Sequence, residues 1–337
     1  MNRSNTTINT NDFIRVANLV SSWRRPVLLT HTNPDGDALG CLLAMRSILR
    51  SLGAVPRPLL YESPPPRYAW ALEQESIEVL TGPADAALAG ADGVLVLDTC
   101  THSQLEPVAE CLKRTLLPKV ALDHHVTRDL SVDDFLIDET ASAACLIVAE
   151  WAEAAGWTLD DDARLAIYLG IATDTGWFRF ANTDARTLAA AAELTREGLS
   201  PAALFEQLYQ RETAARFRLL AEVLGTVELH HESRLAVMTV TRDMLTRTGA
   251  DRRDTEDMIN YPLQIGAVQV SVLLVERDAG GIRISFRSKP PTDSRPDIDV
   301  AAIAAAFGGG GHARAAGARI AGTLDEVKAR IISRIVL

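Results

Sequence analysis

The sequence predicts an α/β fold in two domains: an N-terminal doubly wound parallel sheet and a smaller C-terminal domain of mixed α+β structure. Three observations support this. The chain of 337 residues exceeds one typical domain. Its first half alternates short apolar runs with longer stretches whose apolar residues recur three and four positions apart. From about Thr226 the pattern changes to pairs of strand-like runs joined by polar turns.

The first half provides the elements of the parallel sheet. Its strand-like apolar runs lie at residues 27–30, 93–97 and 119–122. Helices are expected at 39–52, at 141–155 and from 163 onwards. Strands and helices that alternate in this way build parallel sheets with helices on both faces.

The second half is predicted to form a smaller sheet. Its strand-like runs lie at 226–230, 235–240, 269–276 and 281–288. The last two flank a turn at 278–281 and are expected to pair as a hairpin. Because a helical stretch precedes these strands, we predict a first domain over 1–200, a helical linker over 201–225 and a second domain over 226–337.

The composition is that of an ordinary globular protein, with 47% hydrophobic and 23% charged residues. A net charge of −10 argues against a broad surface that coats nucleic acid, and it suits a compact site of acidic metal ligands. No apolar run approaches the ~20 residues that a bilayer requires, and the N-terminus lacks the apolar core of a signal peptide. The four cysteines form no CxxC pair, so we expect thiols and a cytoplasmic protein without a membrane partner.

Acidic and histidine residues follow the predicted strands of the first domain. His31, Asp35 and Asp37 lie in a tight loop after the first strand, before a helix begins. Asp98 ends the second strand. Ligand sites of open α/β sheets form at the carboxyl ends of strands. The alternative for each aspartate is a turn or a helix N-cap, where Asp is common.

The same pattern continues further along the chain. Asp123, His124 and His125 follow the third strand, and Asp174 follows another apolar run. Adjacent histidines point in different directions, so one can bind a metal while the other faces a substrate, and an acidic neighbour can orient a ring. The alternative is a surface loop. We expect these groups, at four strand ends, to meet at one edge of the sheet.

The resulting mixture of carboxylates and imidazoles suits Mn²⁺. Mg²⁺ prefers oxygen and water, and structural zinc prefers thiolates. Asp35 and Asp37 are only two residues apart in a sharp loop, so each is expected to serve one of two neighbouring ions. Two ions about 3.5–4 Å apart are a usual device for hydrolysing phosphate esters. The sequence therefore predicts a two-metal hydrolytic site.

The second domain carries a candidate anion site. A run of four glycines at 308–311 precedes His312 and Arg314. Backbone N–H groups of consecutive glycines converge on anions, and the two side chains add donors. The alternative is a flexible linker.

A basic strand lies in the same domain. Alternation over 282–288 places Arg283, Ser285 and Arg287 on one face and the apolar residues on the other. Lys289 extends this basic patch. The alternative is a solvated strand face with no ligand.

Together these motifs resemble those of the DHH phosphoesterase superfamily over nearly the whole chain. The positions that match its four signature motifs are 31–40, Asp98, 123–125 and 174–176. The phrases at 285–288 and 308–312 resemble its DHHA1 C-terminal domain. Size and layout are most similar to the nanoRNase/pAp-phosphatase (NrnA-like) branch.

The resemblance implies a hydrolase with two Mn²⁺ ions, with Mg²⁺ or Co²⁺ as alternatives. The residues that would hold one ion are His31, Asp35 and Asp98. Those that would hold the other are Asp37, Asp98, His124 and Asp174, so that Asp98 bridges. The catalytic set would be Asp98, Asp123 and His125, with His125 facing the scissile phosphate and Asp123 behind the ligands.

The resemblance also implies how the substrate is held. The residues that would bind its terminal phosphate and nucleotide are Arg287, Ser288, Gly309, Gly310, Gly311 and His312. The active site would lie in the cleft between the domains. The expected substrates are short RNA or DNA oligonucleotides, cut to 5′-mononucleotides, and pAp, cut to AMP. A homodimer would fit the family.

Rival functions stay open at this level. Gln104 stands where many relatives carry arginine, and Arg128 stands where asparagine is commoner, and both departures bear on substrate choice. Cyclic or linear dinucleotides are alternative substrates, because phosphodiesterases that cut them are chemically similar. A family II pyrophosphatase shares the metal motifs but lacks the glycine-histidine loop. Modest length and acidic charge disfavour a RecJ-like exonuclease. A non-catalytic nucleotide-binding module is expected to have lost a ligand, and every ligand position is present here.

Overall fold

The computed structural model describes residues 8–72, 77–196, 198–277 and 280–335. The chain divides between Arg211 and Glu212 into two compact units, and this point lies inside the predicted linker. Each unit contains a six-stranded sheet, parallel in the first unit and mixed in the second, which confirms the predicted fold class. Within these residues, no helix combines the length and the apolar character that crossing a bilayer demands.

The first sheet consists of six parallel strands. They are β1 (Val27–Leu29), β2 (Arg57–Leu60), β3 (Glu78–Val79), β4 (Val94–Leu97), β5 (Lys119–Asp123) and β6 (Asp134–Ile137), in the order β3-β2-β1-β4-β5-β6. The chain therefore begins in the middle of the sheet, runs outward to β3 and returns to place β4 beside β1. Reversal of strand order at this point opens a crevice between the carboxyl ends of β1 and β4, where such sheets bind ligands.

Helices cover both faces of this sheet. They are α1 (Thr10–Ser21), α2 (Gly36–Ser51), α3 (Ala69–Leu72), α4 (Ala109–Arg114), α5 (Ala144–Ala155), α6 (Asp161–Asp174), α7 (Ala185–Thr195) and α8 (Pro201–Tyr209). On one face α1, α2, α5 and α6 enclose a core around the fully buried Trp151. On the other face α4 packs with short 3-10 turns over Val94 and Val96. Burial on both sides explains why the strands are apolar throughout.

The second unit contains the mixed sheet. Its strands are β7 (Glu228–His230), β8 (Leu235–Val240), β9 (Val270–Glu276), β10 (Ile282–Ser288), β11 (Gly310–His312) and β12 (Ala315–Ile320), in the order β11-β12-β10-β9-β8-β7. Its helices are α9 (Ala214–Leu224), α10 (Arg242–Thr248), α11 (Val300–Ala305) and α12 (Leu324–Arg334). Only the β8–β9 pair is parallel among these strands.

The predicted hairpin is confirmed, because β9 and β10 pair antiparallel from Glu276 and Ile282 onwards. Two residues of its turn, Asp278 and Ala279, lie outside the described residues. The glycine run is not simply a loop: its second half forms the edge strand β11, paired with β12.

The alternation predicted for β10 is also confirmed. Ile282, Ile284 and Phe286 are buried in a core with α11 and α12. On the opposite face α9 and α10 pack over β8 and β9. Arg283 and Arg287 lie on that second face of β10.

Several element boundaries differ from the prediction. Helix α2 begins at Gly36 rather than at 39, because the Asp35 side chain caps it by accepting hydrogen bonds from the Asp37 and Ala38 N–H groups. Asp37 therefore lies in the first turn of the helix and not in a loop before it. The apolar run before Asp174 is the end of α6, so the prediction of a fourth strand end is wrong at that position.

Candidate active site

The crevice at the strand-order reversal collects three loops. His31 follows β1, Asp98 follows β4, and His124 follows β5. These strands are neighbours in the sheet and run parallel, so their carboxyl ends lie side by side. The structure thus brings these three predicted residues together at one edge.

Two helices deliver the remaining carboxylates to the same place. Asp35 and Asp37 come from the start of α2, and Asp174 is the last residue of α6. Convergence of a helix start with a helix end, rather than a fourth strand, completes the cluster.

Glycines allow this convergence. A Cβ added at Gly36 would lie 2.3 Å from Thr173 Oγ1, and one at Gly40 would lie 2.5 Å from the Ala166 carbonyl oxygen. Both distances are shorter than any van der Waals contact. The first turns of α2 can therefore approach α6 closely only because these positions carry no side chain.

Among the groups of three candidate ligand atoms in the described residues, two correspond to the predicted metal sites. One contains His31, Asp35 and Asp98, and the other contains Asp37, His124 and Asp174; within each group the candidate ligand atoms lie within 4.8 Å of one another. His124 Nε2 is 3.7 Å from Asp174 Oδ2 and 3.9 Å from Asp37 Oδ2. These separations exceed hydrogen-bond length. Metal–ligand bonds of about 2.1 Å place two ligands of one ion within about 4.2 Å.

Asp98 faces both groups. Its Oδ2 lies 3.5 Å from His31 Nε2, while its Oδ1 lies 3.6 Å from His124 Nε2. The residue is 2% exposed, and among the described residues its Oδ1 has no hydrogen-bond partner. Its φ of 59° is left-handed, a conformation that Asp and Asn tolerate better than other non-glycine residues. This geometry suits a carboxylate that bridges two cations.

The two histidines are oriented by backbone carbonyls. Nδ1 of His31 lies 2.8 Å from the Thr32 oxygen, and Nδ1 of His124 lies 3.1 Å from the Ala141 oxygen. A proton on Nδ1 donates to these oxygens and leaves the Nε2 lone pair directed at the carboxylates. This is the tautomer that a metal-binding imidazole needs.

The carboxylates are held at an electrostatic cost. Burial, together with the neighbouring carboxylates Asp35 and Asp37, raises the pKa of Asp98 well above its ordinary value. Burial also raises the pKa of Asp37, and it raises that of Asp174 to about 8, with Asp37 contributing. Divalent cations would remove this repulsion, so the donor set fits metal ions with mixed oxygen and nitrogen ligands.

Sequence reasoning missed how Asp37 is fixed. Its Oδ2 accepts from the Ala144 N–H at 2.6 Å, and its Oδ1 accepts from the Cys145 N–H at 2.9 Å. The carboxylate therefore caps the N-terminus of α5, whose own N-cap residue, Ala143, has no capping side chain. Thr140 and Ser142 stand just before α5 in the sequence, so no local signal indicated that a distant residue supplies the cap.

Behind the cluster, Asp123 orients His125. Asp123 is fully buried, and its Oδ1 accepts from the His124 and His125 N–H groups and lies 2.7 Å from His125 Nδ1. That hydrogen bond, more than any other interaction, raises the pKa of His125. The His125 side chain is 45% exposed, so a bound molecule can reach it.

The predicted anion site of the second unit is a cavity of about 560 Å³. Arg287, Gly309, Gly310 and Gly311 line it. Burial lowers the pKa of Arg287, as expected for a guanidinium largely removed from water. The side chain of His312 lies outside what the structure describes.

Three other predicted polar residues face away from this cavity. The Ser288 hydroxyl is buried and donates to the Ile298 oxygen at 2.9 Å, because alternation turns it to the opposite side of β10 from Arg287. Arg314 pairs with Asp297. Lys289 donates to two backbone carbonyls. These side chains hold the surrounding loops, and Ser288, which was predicted to contact the substrate, does not line the cavity.

Comparison with known proteins identifies the family. The family model described as "DHH family, N-terminal domain" matches residues 26–171, and that of the "DHHA1 domain" matches 232–336. A bifunctional oligoribonuclease and PAP phosphatase NrnA from Thermus thermophilus is 30% identical over 95% of this chain and 92% of its own. The chain therefore belongs to the DHH family of phosphoesterases, in its NrnA-like branch. The Bacillus subtilis NrnA protein is 28% identical over 89% of this chain and 91% of its own.

Solved structures agree on the fold. An exopolyphosphatase-related protein from Bacteroides fragilis superimposes with a TM-score of 0.89 and 22% identity, covering 98% of this chain and 97% of its own. An exonuclease RecJ bound to manganese superimposes with a TM-score of 0.52 and 16% identity, covering 96% and 94%. At these identities the likeness concerns the fold alone.

Proposed function

We propose that this protein is a metal-dependent phosphoesterase that hydrolyses short oligonucleotides to 5′-mononucleotides and pAp to AMP. The observation that carries the proposal is Asp98, whose two oxygens face two separate groups of ligand atoms. The NrnA relatives, which are named for these two activities, supply the substrate class.

In this proposal two Mn²⁺ ions occupy the crevice. The residues of the first site are His31, Asp35 and Asp98, and those of the second are Asp37, Asp98, His124 and Asp174. Ions held by these residues would activate water and would neutralise charge on the phosphate. The backbone bonds at the two histidines and the helix cap made by Asp37 hold these side chains in place before any ion binds.

His125 supplies proton transfer in the same proposal. Hydrogen bonding to Asp123 keeps its ring in one orientation and favours the protonated form, which can donate to the leaving oxygen. Asp123 acts through His125 and is a positioning residue.

The cavity of the second unit would hold the part of the substrate that does not react. Arg287 offers a largely desolvated guanidinium, which can bind phosphate in a bidentate manner, and Gly310 and Gly311 offer exposed backbone beside it. His312 remains a proposed contact. Cytoplasmic location and a homodimer remain predictions.

A hydrolysis panel tests this function. Purified protein with Mn²⁺ is offered pAp, pApA, a pentamer RNA, cyclic di-AMP, pyrophosphate and a long single strand. We expect mononucleotide from pAp and the short oligomers. Because proton transfer by a positioned side chain contributes roughly 10²–10⁴-fold, His125→Ala should lose activity by that factor. Asp98→Asn and His124→Ala should abolish it.

The matched control is Asp293→Asn, which changes an exposed carboxylate of the second unit. Hydrolysis of pyrophosphate alone, or of none of the substrates, would contradict the proposal. Release of mononucleotide from cyclic di-AMP in preference to pAp would instead indicate a dinucleotide phosphodiesterase.

A further inference from the structure

The segment 138–145 leads from β6 into α5 and borders the second of the two proposed metal sites. The Ala141 carbonyl oxygen lies 3.1 Å from Nδ1 of His124. At the start of α5, two backbone N–H groups of the segment donate to the Asp37 carboxylate. The segment therefore contacts two of the proposed ligands with its own backbone.

The same segment reaches a third ligand through one side chain. Nδ2 of Asn182 donates to the Ser142 carbonyl oxygen at 3.0 Å and to the Asp174 carbonyl oxygen at 3.3 Å. Within the described residues, no hydrogen bond joins the segment to His31 or Asp35, which are the ligands proposed for the first site alone. The segment is thus a frame for the second site in particular.

Arg186, on α7, holds this segment at both ends. Its Nη1 donates to Asp138 Oδ2 at 2.7 Å, and its Nε and Nη2 donate to the two carboxylate oxygens of Glu150 on α5. The guanidinium therefore joins the residue that begins the segment to the helix that follows it. Thr187, the next residue of α7, adds a second contact, because its Oγ1 lies 2.9 Å from Ser142 Oγ.

The contact with Asp138 is buried and charged. Asp138 is 1% exposed, and its Oδ1 accepts hydrogen bonds from the N–H and hydroxyl groups of Thr140. Burial opposes ionisation, yet the hydrogen bonds from Thr140 and Arg186 lower the pKa of Asp138 below its ordinary value. The carboxylate is therefore charged at neutral pH. Without Arg186 it would be a buried charge without its cation, so the segment should shift to bring it to water.

We propose that Arg186 is a positioning residue for the second metal site. By joining Asp138 to Glu150, it keeps in place the backbone groups that orient two of the ligands. This rests on the proposed function, because it concerns an ion of that site. Arginine suits the role because its planar fork bonds one carboxylate with two parallel N–H groups while a third N–H reaches another, whereas a lysine ammonium has no such fork.

Metal binding tests the inference without relying on hydrolysis. Mn²⁺ is titrated by calorimetry into metal-free wild type, Arg186→Gln and Arg186→Lys. Loss of a group that orients metal ligands typically costs 10–100-fold in affinity, so in Arg186→Gln one Mn²⁺ affinity should fall about tenfold while the other changes by less than about twofold. Arg186→Lys keeps the charge but not the fork, so its loss should be smaller.

A measurement in EDTA reports on the imidazole itself. The bond to the Ala141 oxygen protects the Nδ1 proton of His124, whose side chain is 14% exposed. In NMR spectra of isotope-labelled wild type we expect this proton to exchange slowly, and its absence from His124→Ala assigns the signal. In Arg186→Gln it should exchange about tenfold faster, because the carbonyl that protects it is displaced.

Two controls separate positioning from general stability. Leu194→Ala removes a buried side chain from the same helix, α7, and should lower the urea midpoint while leaving both Mn²⁺ affinities as in wild type. Arg114→Gln removes an exposed ion pair with Asp85 on the other face of the sheet, and it should bind Mn²⁺ as wild type does.

Wild-type Mn²⁺ affinities in Arg186→Gln, an equal loss at both sites, or the same loss in Leu194→Ala would overturn the inference, as would a wild type that binds fewer than two ions. Failure of the proposed function would look different. Wild type would then bind two ions and Arg186→Gln would weaken one of them, yet pAp and the short oligomers would stay uncut.

Discussion

At the scale of single residues, Asp98 shows the conflict between stability and function most directly. It is almost fully buried beside other carboxylates, and no described residue bonds its Oδ1. An arrangement of this kind is unfavourable for the metal-free protein and favourable only when cations are present. The sequence predicts Asp98 as a ligand at a strand end. The structure adds its left-handed backbone and the position of its two oxygens, one near His31 and the other near His124.

Replacing Asp98 with asparagine should separate the effect of its charge on the stability of the metal-free protein from its effect on metal binding. Asn keeps the left-handed backbone and the side-chain shape but removes the charge. In EDTA the Asp98→Asn protein should unfold at a higher urea concentration than wild type, because carboxylate repulsion is relieved. With Mn²⁺ the order of the two urea midpoints should reverse, because the variant lacks the carboxylate that is proposed to bridge the two ions. Urea melts in both buffers measure this.

Asp293→Asn is the control, and its urea midpoint should shift little in either buffer. A lower midpoint for Asp98→Asn in EDTA would show that its carboxylate stabilises the metal-free fold, against the electrostatic argument.

At the scale of elements, the contact between α2 and α6 brings Asp37 and Asp174 of the candidate site together. Gly170 on α6 lies against Asp37: an added Cβ would be 2.6 Å from Asp37 Oδ1 and 2.2 Å from Cys145 Sγ. Glycine in a helix interior normally costs about 1 kcal/mol relative to alanine. Its presence here reflects the close approach of the Asp37 carboxylate, which is a proposed metal ligand.

Gly170→Ala should therefore weaken both the fold and metal binding. Overpacking of this kind costs roughly 1–3 kcal/mol of unfolding free energy. Displacement of Asp37 should also lower Mn²⁺ affinity, measured by calorimetry. Gly170→Ala/Cys145→Ala removes the clash with sulfur but keeps those with Asp37 and with the Cβ of residue 145, which lies at 2.7 Å, so stability should recover only in part while affinity should not.

Gly82→Ala is the matched control, since a Cβ there meets nothing within 4 Å. Full recovery of Mn²⁺ affinity in the Gly170→Ala/Cys145→Ala protein would assign the effect to Cys145 and not to Asp37.

At the scale of the whole molecule, the carboxylate cluster links folding to pH. Asp37, Asp98 and Asp174 have pKa values raised by burial, and that of Asp174 reaches about 8. In the unfolded chain an aspartate titrates near 3.9. Between these values the folded, metal-free protein binds more protons than the unfolded chain. Its stability is therefore greatest below the unfolded pKa and falls as pH rises through the folded pKa.

We expect the urea midpoint in EDTA to fall between pH 5.5 and pH 8. Saturating Mn²⁺ replaces the protons, so with the metal the decline should vanish or reverse. Urea melts at three pH values with and without Mn²⁺ measure this. A midpoint in EDTA that rises over this range would contradict the raised pKa values.

The fold class and most of the candidate site could be predicted from the sequence. The spacing of apolar residues indicates whether one face or both faces of an element are buried. Because this information is local, the parallel sheet, the β9–β10 hairpin and the two faces of β10 were predictable. His31, Asp98 and His124 were recognisable because strand ends meet at one edge wherever strands run parallel.

What only the tertiary structure decided depends on contacts between distant segments. That Asp174 at the end of α6 meets Asp37 and His124, that Asp37 caps α5, and that Arg283 faces Arg319 are consequences of packing and register. Local periodicity carries no information on which helix end meets which, or on how far one strand slides along another. The pairing of helix ends and the register of strands are determined by how side chains and glycines of different elements pack together, and they determine the geometry of the site.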